Sequence, residues 1–282
     1  MDSLDDFECY DELLYEPLHR LGWNVEPISW HRTDIDWNHF NAVLIRSTWD
    51  YQSDPQKFIN VLETIDHASA RLENNINLVK WNISKTYLRD LEERGVNVVP
   101  TIWRQGLSAE KVDHFFDELD AAEIVIKPIV SANANDTFRL SRGEVNRFIP
   151  ELETAFKEQD YMIQPFMRGI VEEGEFSLFF FGEDYSHTIL KTPKPKDFRV
   201  QEEHGGRLHS AEPDPSLVAR ARETLETVKP KPLYARADFV RVSGSFALME
   251  LELIEPSLYF NMDSTSPGRF ARAFDKWMGG ES

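Results

Sequence analysis

Two residue pairs, Arg236/Asp238 and Glu250/Glu252, have the two-residue spacing of side chains that share one face of a β-strand. They lie in two apolar stretches joined by a short turn, which predicts a hairpin with all four side chains on a common face. Three carboxylates and a guanidinium among buried apolar residues cost too much free energy to remain unpaired. A hard divalent cation such as Mg²⁺, completed by phosphate oxygens of a substrate, would satisfy them. The alternative is an exposed acidic strand face, which is ordinary in an acidic chain.

Two lysines are candidates for binding phosphate. Lys127 ends an apolar stretch and precedes a polar loop in which Ser131 and Asn133 offer a hydroxyl, an amide and backbone N–H groups. Lys85 lies in the first turn of a predicted helix, where acidic residues are favoured, and this position favours a role with a ligand. A solvated surface lysine is the alternative at both positions.

A second basic group occupies the Pro- and Gly-containing loop 191–206 and includes Lys191 and Arg199. A local basic cluster in an acidic chain could bind a carboxylate or a phosphoryl group in transfer, and Gly205 would allow close backbone approach. Glu175 opens a predicted strand before this loop. An exposed glutamate near a turn is its alternative interpretation.

Composition excludes several classes of protein. The 282 residues are 41% hydrophobic and 28% charged, as in an ordinary globular protein. The formal charge of −18, from 49 acidic and 31 basic residues, argues against nucleic acid or an anionic membrane as the main partner, although a halophilic source would also explain it. No stretch reaches the roughly 18 apolar residues of a membrane span. With a single cysteine and no signal-peptide pattern at the N-terminus, we expect a cytoplasmic protein.

Known catalytic motifs of other classes are missing from the sequence. It has no Walker A loop, no G-x-G-x-x-G fingerprint and no G-x-S-x-G elbow. Its histidines do not have zinc-ligand spacing. These observations leave the carboxylates, the two lysines and the basic loop as the candidate site.

The periodic segments predict a mixture of helices and strands in three parts. A helix at 11–22, strands at 24–30 and 42–47 and a helix from 54 to about 64 suggest a small α/β layer with a parallel sheet. A compact α+β unit follows, with strands at 97–100, 123–128, 137–140 and 161–164. The remainder is a larger antiparallel unit. We therefore expect domains at 1–80, 81–165 and 166–282.

Taken in order, these pieces resemble the ATP-grasp superfamily over about residues 80 to 260. The resemblance is carried by the helix lysine Lys85, Ile126-Lys127-Pro128, Ile163-Gln164-Pro165-Phe166, Gly174-Glu175, the basic loop, Arg236-x-Asp238 and the closing acidic strand. Within the superfamily the chain is similar to the group typified by D-cycloserine synthetase and the ATP-binding domain of glutathione synthetase. That similarity is carried by Arg46-Ser-Thr-Trp-Asp-Tyr51, Trp81-Asn82, Phe198-Arg-Val-Gln-Glu-Glu203 and Glu250-Leu-Glu-Leu-Ile-Glu-Pro-Ser257.

The resemblance implies an α+β and α/β architecture, the ATP-grasp fold, with a small N-terminal layer, a central lid subdomain and a C-terminal antiparallel-sheet subdomain. It implies an ATP-dependent carboxylate–amine ligase that forms an amide through an acylphosphate and releases ADP and phosphate. The substrate would be small and amino-acid-like, joined to a second molecule or cyclised. Mg²⁺ would be the metal, with Mn²⁺ as a substitute, and the assembly could be a homodimer. The alternatives are a phosphotransferase with the same fold and a non-catalytic nucleotide-binding module.

The resemblance also implies roles for individual residues. The ATP phosphates would be held by Lys85, Lys127, Ser131 and Asn133, the adenine by Gln164, Pro165 and Phe166, and the ribose by Glu175. Lys191 and Arg199 would face the phosphoryl group or the substrate carboxylate, and Arg236 would stabilise the charged intermediate. Mg²⁺ would be carried by Asp238, Glu250 and Glu252. The substrate pocket would include Arg46, Trp49, Asp50, Tyr51, Gln201 and Gly205.

The sequence departs from the family pattern in three places. The usual last metal ligand is an asparagine, whereas Glu252 stands here and Glu255 competes for the role. The loop after Lys127 lacks the glycines of many relatives. The N-terminus begins without the apolar first strand of the group, for which Phe7–Tyr10 is a poor substitute. The acceptor pocket is therefore expected to be altered or partly open.

Overall fold

The structure, a computed structural model, describes residues 1–5, 7–131, 136–195 and 197–280. Its strands form three sheets of two, four and five strands, which follow one another along the chain. The mixture of a parallel sheet with two antiparallel sheets confirms the fold class expected from the sequence. The domain limits near residues 80 and 165 stay a proposal. Within the described ranges, no helix is both long and apolar enough to cross a membrane.

The N-terminal layer is a two-stranded parallel sheet of β1 (Ala42–Leu44) and β2 (Arg71–Glu73), preceded by α1 (Tyr15–Arg20). The connection between the strands is α2 (Pro55–Asp66). Asp54 caps this helix by accepting a hydrogen bond from the Lys57 backbone N–H at 3.0 Å, and proline at the first helical position is pre-set for a helical φ. α2 buries one face against the sheet, as the helical spacing of its apolar residues predicts.

The strand expected at 24–30 is wrong. Residues 24–27 are exposed and irregular, and Pro27 supplies no backbone N–H for a sheet ladder. Trp30, at the end of the segment, is buried and donates from Nε1 to Asp50 Oδ1 at 2.7 Å. A buried aromatic anchor at the end of an exposed loop thus produced the apolar signal. In the described chain before Ala42 no strand forms.

The central unit begins with α3 (Ile76–Asn82) and α4 (Tyr87–Glu93) and continues as a four-stranded antiparallel sheet. The strand order is β3-β6-β4-β5, and α5 and α6 pack against this sheet. Its elements are β3 (Ile102–Gln105), α5 (Ala109–Glu118), β4 (Glu123–Pro128), β5 (Phe138–Ser141), α6 (Val145–Phe156) and β6 (Asp160–Pro165). The strand expected at 97–100 is reduced to a bridge between Val98 and Leu248, and the true strand starts at Ile102.

The C-terminal unit is a five-stranded antiparallel sheet in the order β11-β10-β7-β8-β9. Its strands are β7 (Glu175–Phe181), β8 (Asp184–Thr192), β9 (Arg207–Ser210), β10 (Tyr234–Val242) and β11 (Ser245–Glu252), and its helices are α7 (Gly169–Glu172), α8 (Pro215–Glu226) and α9 (Ser266–Trp277). In the β10–β11 hairpin Arg236 lies opposite Glu252 and Asp238 opposite Glu250. The hairpin and its charged face are confirmed.

Side-chain amides join the layers where backbone pairing ends. Asn82 donates to the Leu251 carbonyl at 2.8 Å and accepts from the Leu253 N–H at 2.9 Å, so it substitutes for a neighbouring strand at the edge of β11. Asn74 similarly donates to the carbonyls of Tyr234 and Leu253. Because both asparagines are buried, these bonds fix α3 and the N-terminal layer against the C-terminal sheet.

Candidate active site

The three layers meet at a cleft that is partly open to solvent. The structure brings most of the predicted site residues to its walls: Trp49, Tyr51, Lys85, Lys127, Ser131, Gln164, Pro165, Phe166, Glu175, Lys191, Arg199, Gln201, Arg236, Asp238, Glu250 and Glu252. Arg46, Asp50 and Gly205 do not line it. Asn133 lies outside the described residues.

Asp238 is the most buried carboxylate of the cleft, with 2% of its surface exposed. It accepts hydrogen bonds from Ser177 Oγ at 2.5 Å, from Arg236 Nη2 at 3.1 Å and from Lys191 Nζ at 3.3 Å. Burial alone would raise the pKa of Asp238, but the charges of Arg236 and Lys191 outweigh it and lower the pKa. Asp238 is therefore held as a carboxylate.

Glu250, opposite Asp238 on β11, accepts a hydrogen bond from Lys85 Nζ at 2.6 Å. The same ammonium donates to the Ser131 carbonyl at 2.9 Å, at the edge of the loop that follows β4. Burial would raise the pKa of Glu250, and the charges of Lys85 and Lys127 lower it overall. Lys85 thus connects the acidic hairpin to the start of the loop.

Lys127 has no ion pair or hydrogen bond from its ammonium within the described residues. Burial lowers the pKa of Lys127, the positive charge of Lys85 acts in the same direction, and the carboxylate of Glu250 opposes both. A partly buried ammonium without a contact partner is electrostatically suited to an anionic ligand. This arrangement fits a phosphate group in the cleft.

Lys191 and Glu175 form a buried ion pair across β7 and β8, with 2.5 Å between Nζ and Oε1. Burial raises the pKa of Glu175 despite the lysine, whereas the carboxylates around Lys191 raise its pKa above the ordinary value against the opposing effect of burial. The carboxylate expected to bind ribose is thus in contact with the lysine expected to bind phosphate or carboxylate.

Gln164, Pro165 and Phe166 continue from the end of β6 along one wall of the cleft. Gln164 is buried and donates from Nε2 to Thr101 Oγ1 at 3.0 Å. Phe166 has the Arg139 guanidinium 3.6 Å from its ring centroid and the Phe198 ring edge-on at 6.0 Å. The wall combines apolar and aromatic surface with backbone groups, as a planar base requires.

Glu252 and Glu255 differ from the other two acids because their pKa values are raised. Burial and the neighbouring carboxylates raise the pKa of Glu252 to about 7, although Arg236 contacts it directly. Burial, followed by the charge of Glu252, raises the pKa of Glu255 to about 8, and a hydrogen bond with Tyr51 opposes the shift. Two carboxyl groups with raised pKa values therefore lie beside two whose pKa values are lowered.

Glu255→Gln is expected to flatten the pH dependence of the free energy of unfolding. The pKa of Glu255 is about 8 in the folded protein and about 4.5 in the unfolded chain. The contribution of the protonated carboxyl group to the free energy of unfolding is therefore fully present below pH 4.5 and is lost as the pH rises towards 8. An amide has no proton to lose and still accepts from Tyr51. Urea unfolding at pH 5 and pH 8 should show the variant gaining about 2 kcal/mol relative to the parent protein at the higher pH. Glu110→Gln, at an exposed helix position, is the control; parallel pH slopes for Glu255→Gln and the parent would contradict the assignment.

The carboxylates of the hairpin fit Mg²⁺ by their chemistry. Asp238, Glu250 and Glu252 offer hard oxygen donors on one strand face at the cleft wall. Among the residues that the structure describes, no three or more histidine, cysteine or acidic side chains converge as a ready-made metal group. The acids instead contact Lys85, Lys191 and Arg236. If ATP and Mg²⁺ bound together, the phosphates would pair with these basic residues and the metal would pair with the acids.

Two residues expected in the substrate pocket are engaged inside the protein. Arg46 donates to Asp11 Oδ1 at 2.9 Å and to the Pro256 carbonyl at 2.8 Å. Asp50 accepts from Trp30 and lies 2.6 Å from His31 Nε2. Their role in the substrate pocket stays a prediction, and the partners of these two side chains come from distant segments that no local pattern reveals.

The other two N-terminal residues reach the cleft. Trp49 donates from Nε1 to the Glu255 carbonyl at 2.9 Å, and Tyr51 is buried at the cleft wall beside the Glu255 carboxyl. The N-terminal layer thus contacts the segment after β11, which also contains Tyr259. Tyr259 lines the cleft and was not among the predicted residues, because no spacing or motif marks it.

The basic loop is ordered by its own contacts. Asp197 accepts from both Nε and Nη2 of Arg199, and the pKa of Asp197 is held well below its usual range, chiefly by hydrogen bonding from Arg199. Gly205 adopts φ +83, a left-handed conformation that favours glycine, and ends a 3₁₀ turn. Gln201 reaches the cleft with a buried Oε1 that has no hydrogen-bond partner among the described residues.

Family models match nearly all of the described chain up to residue 237. Residues 1–74 match the model described as the N-terminal domain of D-cycloserine synthetase DcsG. Residues 74–237 match the model described as the ATP-grasp domain of prokaryotic glutathione synthetase. The second match covers more than half of the chain and includes Lys85, Lys127, Lys191 and Arg236.

Individual proteins give the same picture. The cycloserine biosynthesis protein DcsG of Streptomyces lavendulae is 29% identical, over 92% of this chain and 91% of its own length. The crystal structure of D-cycloserine synthetase DcsG has a TM-score of 0.84 at 28% identity, covering 95% of this chain and 94% of that one. The ATP-grasp ligase PsnB, in complex with a phosphomimetic variant of its minimal precursor, Mg and ADP, has a TM-score of 0.67 at 15% identity, over 95% and 94% of the two chains, and shows the shared fold.

Proposed function

The chain belongs to the family of the prokaryotic glutathione synthetase ATP-grasp domain, and on this premise we propose that it joins a carboxylate to an amine nitrogen at the expense of ATP. It is an ATP-dependent ligase that forms an amide, related to D-cycloserine synthetase. In the proposed reaction a substrate carboxylate attacks the γ-phosphate, giving an acylphosphate and ADP. A nitrogen nucleophile then displaces phosphate and leaves the amide.

The observation that carries this proposal is that one cleft brings basic side chains together with the hairpin acids Asp238, Glu250 and Glu252. Lys85 and Lys191 already contact carboxylates, whereas Lys127 has no partner within the described part of the chain. A triphosphate would supply the anionic groups that Lys127 lacks, and would also take over from Glu250 as a partner of Lys85. Removing these charges from water as the ligand binds strengthens their interaction.

The residues divide the proposed task between them. Lys85 and Lys127 bind the phosphates, and Gln164 to Phe166 form the wall for adenine. Mg²⁺, held by Asp238, Glu250 and Glu252, would neutralise charge on the phosphate oxygens when bound. Arg236 and Lys191 orient the reacting carboxyl group and stabilise negative charge that develops there, and Arg199 faces the substrate from the basic loop. Glu175 is proposed to bind the ribose of ATP.

The substrate proposal concerns the end of the cleft formed by the N-terminal layer. Trp49, Tyr51 and Gln201 border this region, and their aromatic and amide side chains suit a small amino-acid-like molecule. Cyclisation within one molecule and ligation of two molecules are both compatible with the chemistry. A cytoplasmic location, a homodimer and activity with Mn²⁺ in place of Mg²⁺ are further proposals.

The test is the stoichiometry of products from ATP, Mg²⁺ and a panel of amino acids, with hydroxylamine as the trapping nucleophile. An acylphosphate and hydroxylamine give a hydroxamate and phosphate, so we expect ADP, phosphate and hydroxamate in equal amounts for the accepted carboxylate. Mass spectrometry without hydroxylamine identifies an intramolecular amide as the substrate minus water. AMP, a phosphorylated acceptor that accumulates, or ATP binding without turnover for any acceptor would each overturn the proposal. Omission of the carboxylate is the control.

A further inference from the structure

The segment after β11, residues 255–259, is fixed by hydrogen bonds to consecutive backbone carbonyls. These carbonyls accept as follows: Glu255 from Trp49 Nε1, Pro256 from Arg46 Nη2, Ser257 from Arg236 Nη1, Leu258 from His187 Nε2 and Tyr259 from the Met262 N–H. The donors come from the N-terminal layer, the antiparallel sheet and the following turn. A segment bound at each carbonyl holds its side chains in defined directions.

Tyr259 ends this segment in an unusual backbone conformation. Its φ of 44 and ψ of 48 lie in the left-handed region, which a residue with a Cβ rarely adopts. The ring packs near Tyr10 and Phe179, with centroid distances of 6.3 and 6.2 Å, and only 7% of the residue is exposed. Strained backbone that packing holds in place is concentrated at functional sites, so the position warrants a functional explanation.

The phenol of Tyr259 differs from the two other tyrosines of the cleft wall. Tyr51 hydrogen-bonds with Glu255, and the Tyr87 oxygen accepts from the Leu251 N–H at 2.9 Å. The Tyr259 hydroxyl has no hydrogen-bond partner within the described residues, although the residue is more than nine-tenths buried and lines the cleft. The hydroxyl itself is not fully buried, so it is open to the cleft, where it can donate to a ligand.

Tyr259 lies within electrostatic reach of Lys191 and Arg236, the two residues proposed to face the reacting carboxyl group. Burial raises the pKa of Tyr259 to about 12, while the nearby charges of Lys191 and Arg236 act in the opposite direction. The phenol therefore stays protonated at physiological pH and is available as a donor. Lys191 and Arg236 already contact Glu175, Asp238 and Glu252, so an additional donor beside them would be directed at an anionic oxygen of a ligand.

We propose that the Tyr259 hydroxyl donates a hydrogen bond to an oxygen of the substrate carboxyl group, and of the acylphosphate formed from it, beside Lys191 and Arg236. This inference rests on the proposed ligase function and adds a residue that contacts the reacting group. Trp49 and Arg46 then act as positioning residues, because they hold the carbonyls of the segment that presents Tyr259. The residues proposed to bind ATP, namely Lys85, Lys127 and Gln164 to Phe166, do not include Tyr259.

Tyr259→Phe tests the hydroxyl alone, because phenylalanine keeps the ring contacts. With the carboxylate that gives ADP and hydroxamate in the trapping assay, we expect kcat/KM for that carboxylate to fall about 10- to 100-fold, the loss typical of one hydrogen bond to a charged group. KM for ATP should stay within about twofold, and the melting temperature should not change, since no other described residue bonds to the hydroxyl. The decisive readout is a loss in the kinetic constants for the carboxylate together with an unchanged KM for ATP.

The matched control is Tyr185→Phe, which removes a tyrosine hydroxyl from strand β8, outside the cleft. In the parent protein this hydroxyl lies 2.7 Å from Thr188 Oγ1. We expect parental kinetic constants for this variant. An unchanged kcat/KM in Tyr259→Phe would overturn the proposal. Equal losses for ATP and carboxylate together with a lower melting temperature would also overturn it, by assigning Tyr259 a structural role.

If the parent protein turns over no carboxylate in the panel, the ligase proposal fails, and the role of Tyr259 is then tested by a binding measurement. The probe is acetyl phosphate, the smallest acyl phosphate of this type, titrated calorimetrically into protein saturated with Mg²⁺ and ADP. Binding by the parent and by Tyr185→Phe, with about tenfold weaker binding by Tyr259→Phe, would support the hydrogen bond. Equal affinity in all three, or no binding to the parent, would overturn it.

Discussion

Asp238→Asn and Glu250→Gln are each expected to lower Mg²⁺-dependent ADP release by about 10³-fold. Each change keeps the size of the side chain and removes the negative charge that a divalent cation needs. At Asp238 it also leaves Arg236 and Lys191 beside a neutral amide, and at Glu250 it removes the carboxylate partner of Lys85. The measurement is steady-state ADP release with the accepted carboxylate over a range of Mg²⁺ concentrations.

Glu118→Gln is the matched control, because it makes the same chemical change in an ion pair with Arg104 that lies outside the cleft. Its activity should equal that of the parent. Circular dichroism and the melting temperature check that the two cleft variants are folded. Full turnover in both Asp238→Asn and Glu250→Gln would refute the assignment of the metal to this hairpin.

Either Glu252 or Glu255 could be the third metal ligand, and the two residues differ in position. Glu252 lies opposite Arg236 on the strand face that also presents Glu250, whereas Glu255 lies beyond the strand and bonds with Tyr51. Alternation along β11 therefore places Glu252 with the other two acids. The pKa is raised at both residues and does not distinguish them, so the position on the strand face decides, and we keep Glu252 as the proposed third ligand.

Local periodicity was sufficient to predict the centre of the cleft. The two-residue spacing of Arg236 and Asp238 determines a common face in any strand, so the face could be predicted without the fold. The same holds for Lys127 at the end of β4. The contacts of Asp50 and Arg46 could not be predicted, because their partners belong to distant segments whose positions depend on packing. Trp30 and His31 lie in a loop, and Asp11 begins a 3₁₀ helix.

Tyr259 shows where a sequence pattern has no information. Its proposed role follows from a positive φ, from five bound carbonyls and from a hydroxyl that has no partner in the described part of the chain, and all three depend on tertiary contacts. The strand wrongly expected at 24–30 shows the converse, because an apolar signal there reflects one buried aromatic residue. Propensity alone is outweighed in both places by the packing of distant segments.

The second large effect is expected from Lys127→Met, which should reduce kcat/KM for ATP about 100-fold while raising stability. Methionine fills the space of the lysine stem but cannot bind a phosphate. Without ligand, the ammonium of Lys127 is partly buried and unpaired within the described chain, so removing it relieves a desolvation cost. We expect the free energy of unfolding to rise by about 1 kcal/mol.

The opposite signs of these two effects distinguish the proposal from simple misfolding. A damaged protein would lose stability and activity together, whereas a buried charge kept for a ligand costs stability and provides affinity. Lys111→Met, at an exposed position of α5 in the same sheet layer, controls for the loss of one positive charge and should leave both quantities unchanged. ATP titration followed by calorimetry, together with urea unfolding, measures both. If Lys127→Met binds ATP with the affinity of the parent protein, the phosphates bind elsewhere. The proposed phosphate site at Lys127 would then be wrong.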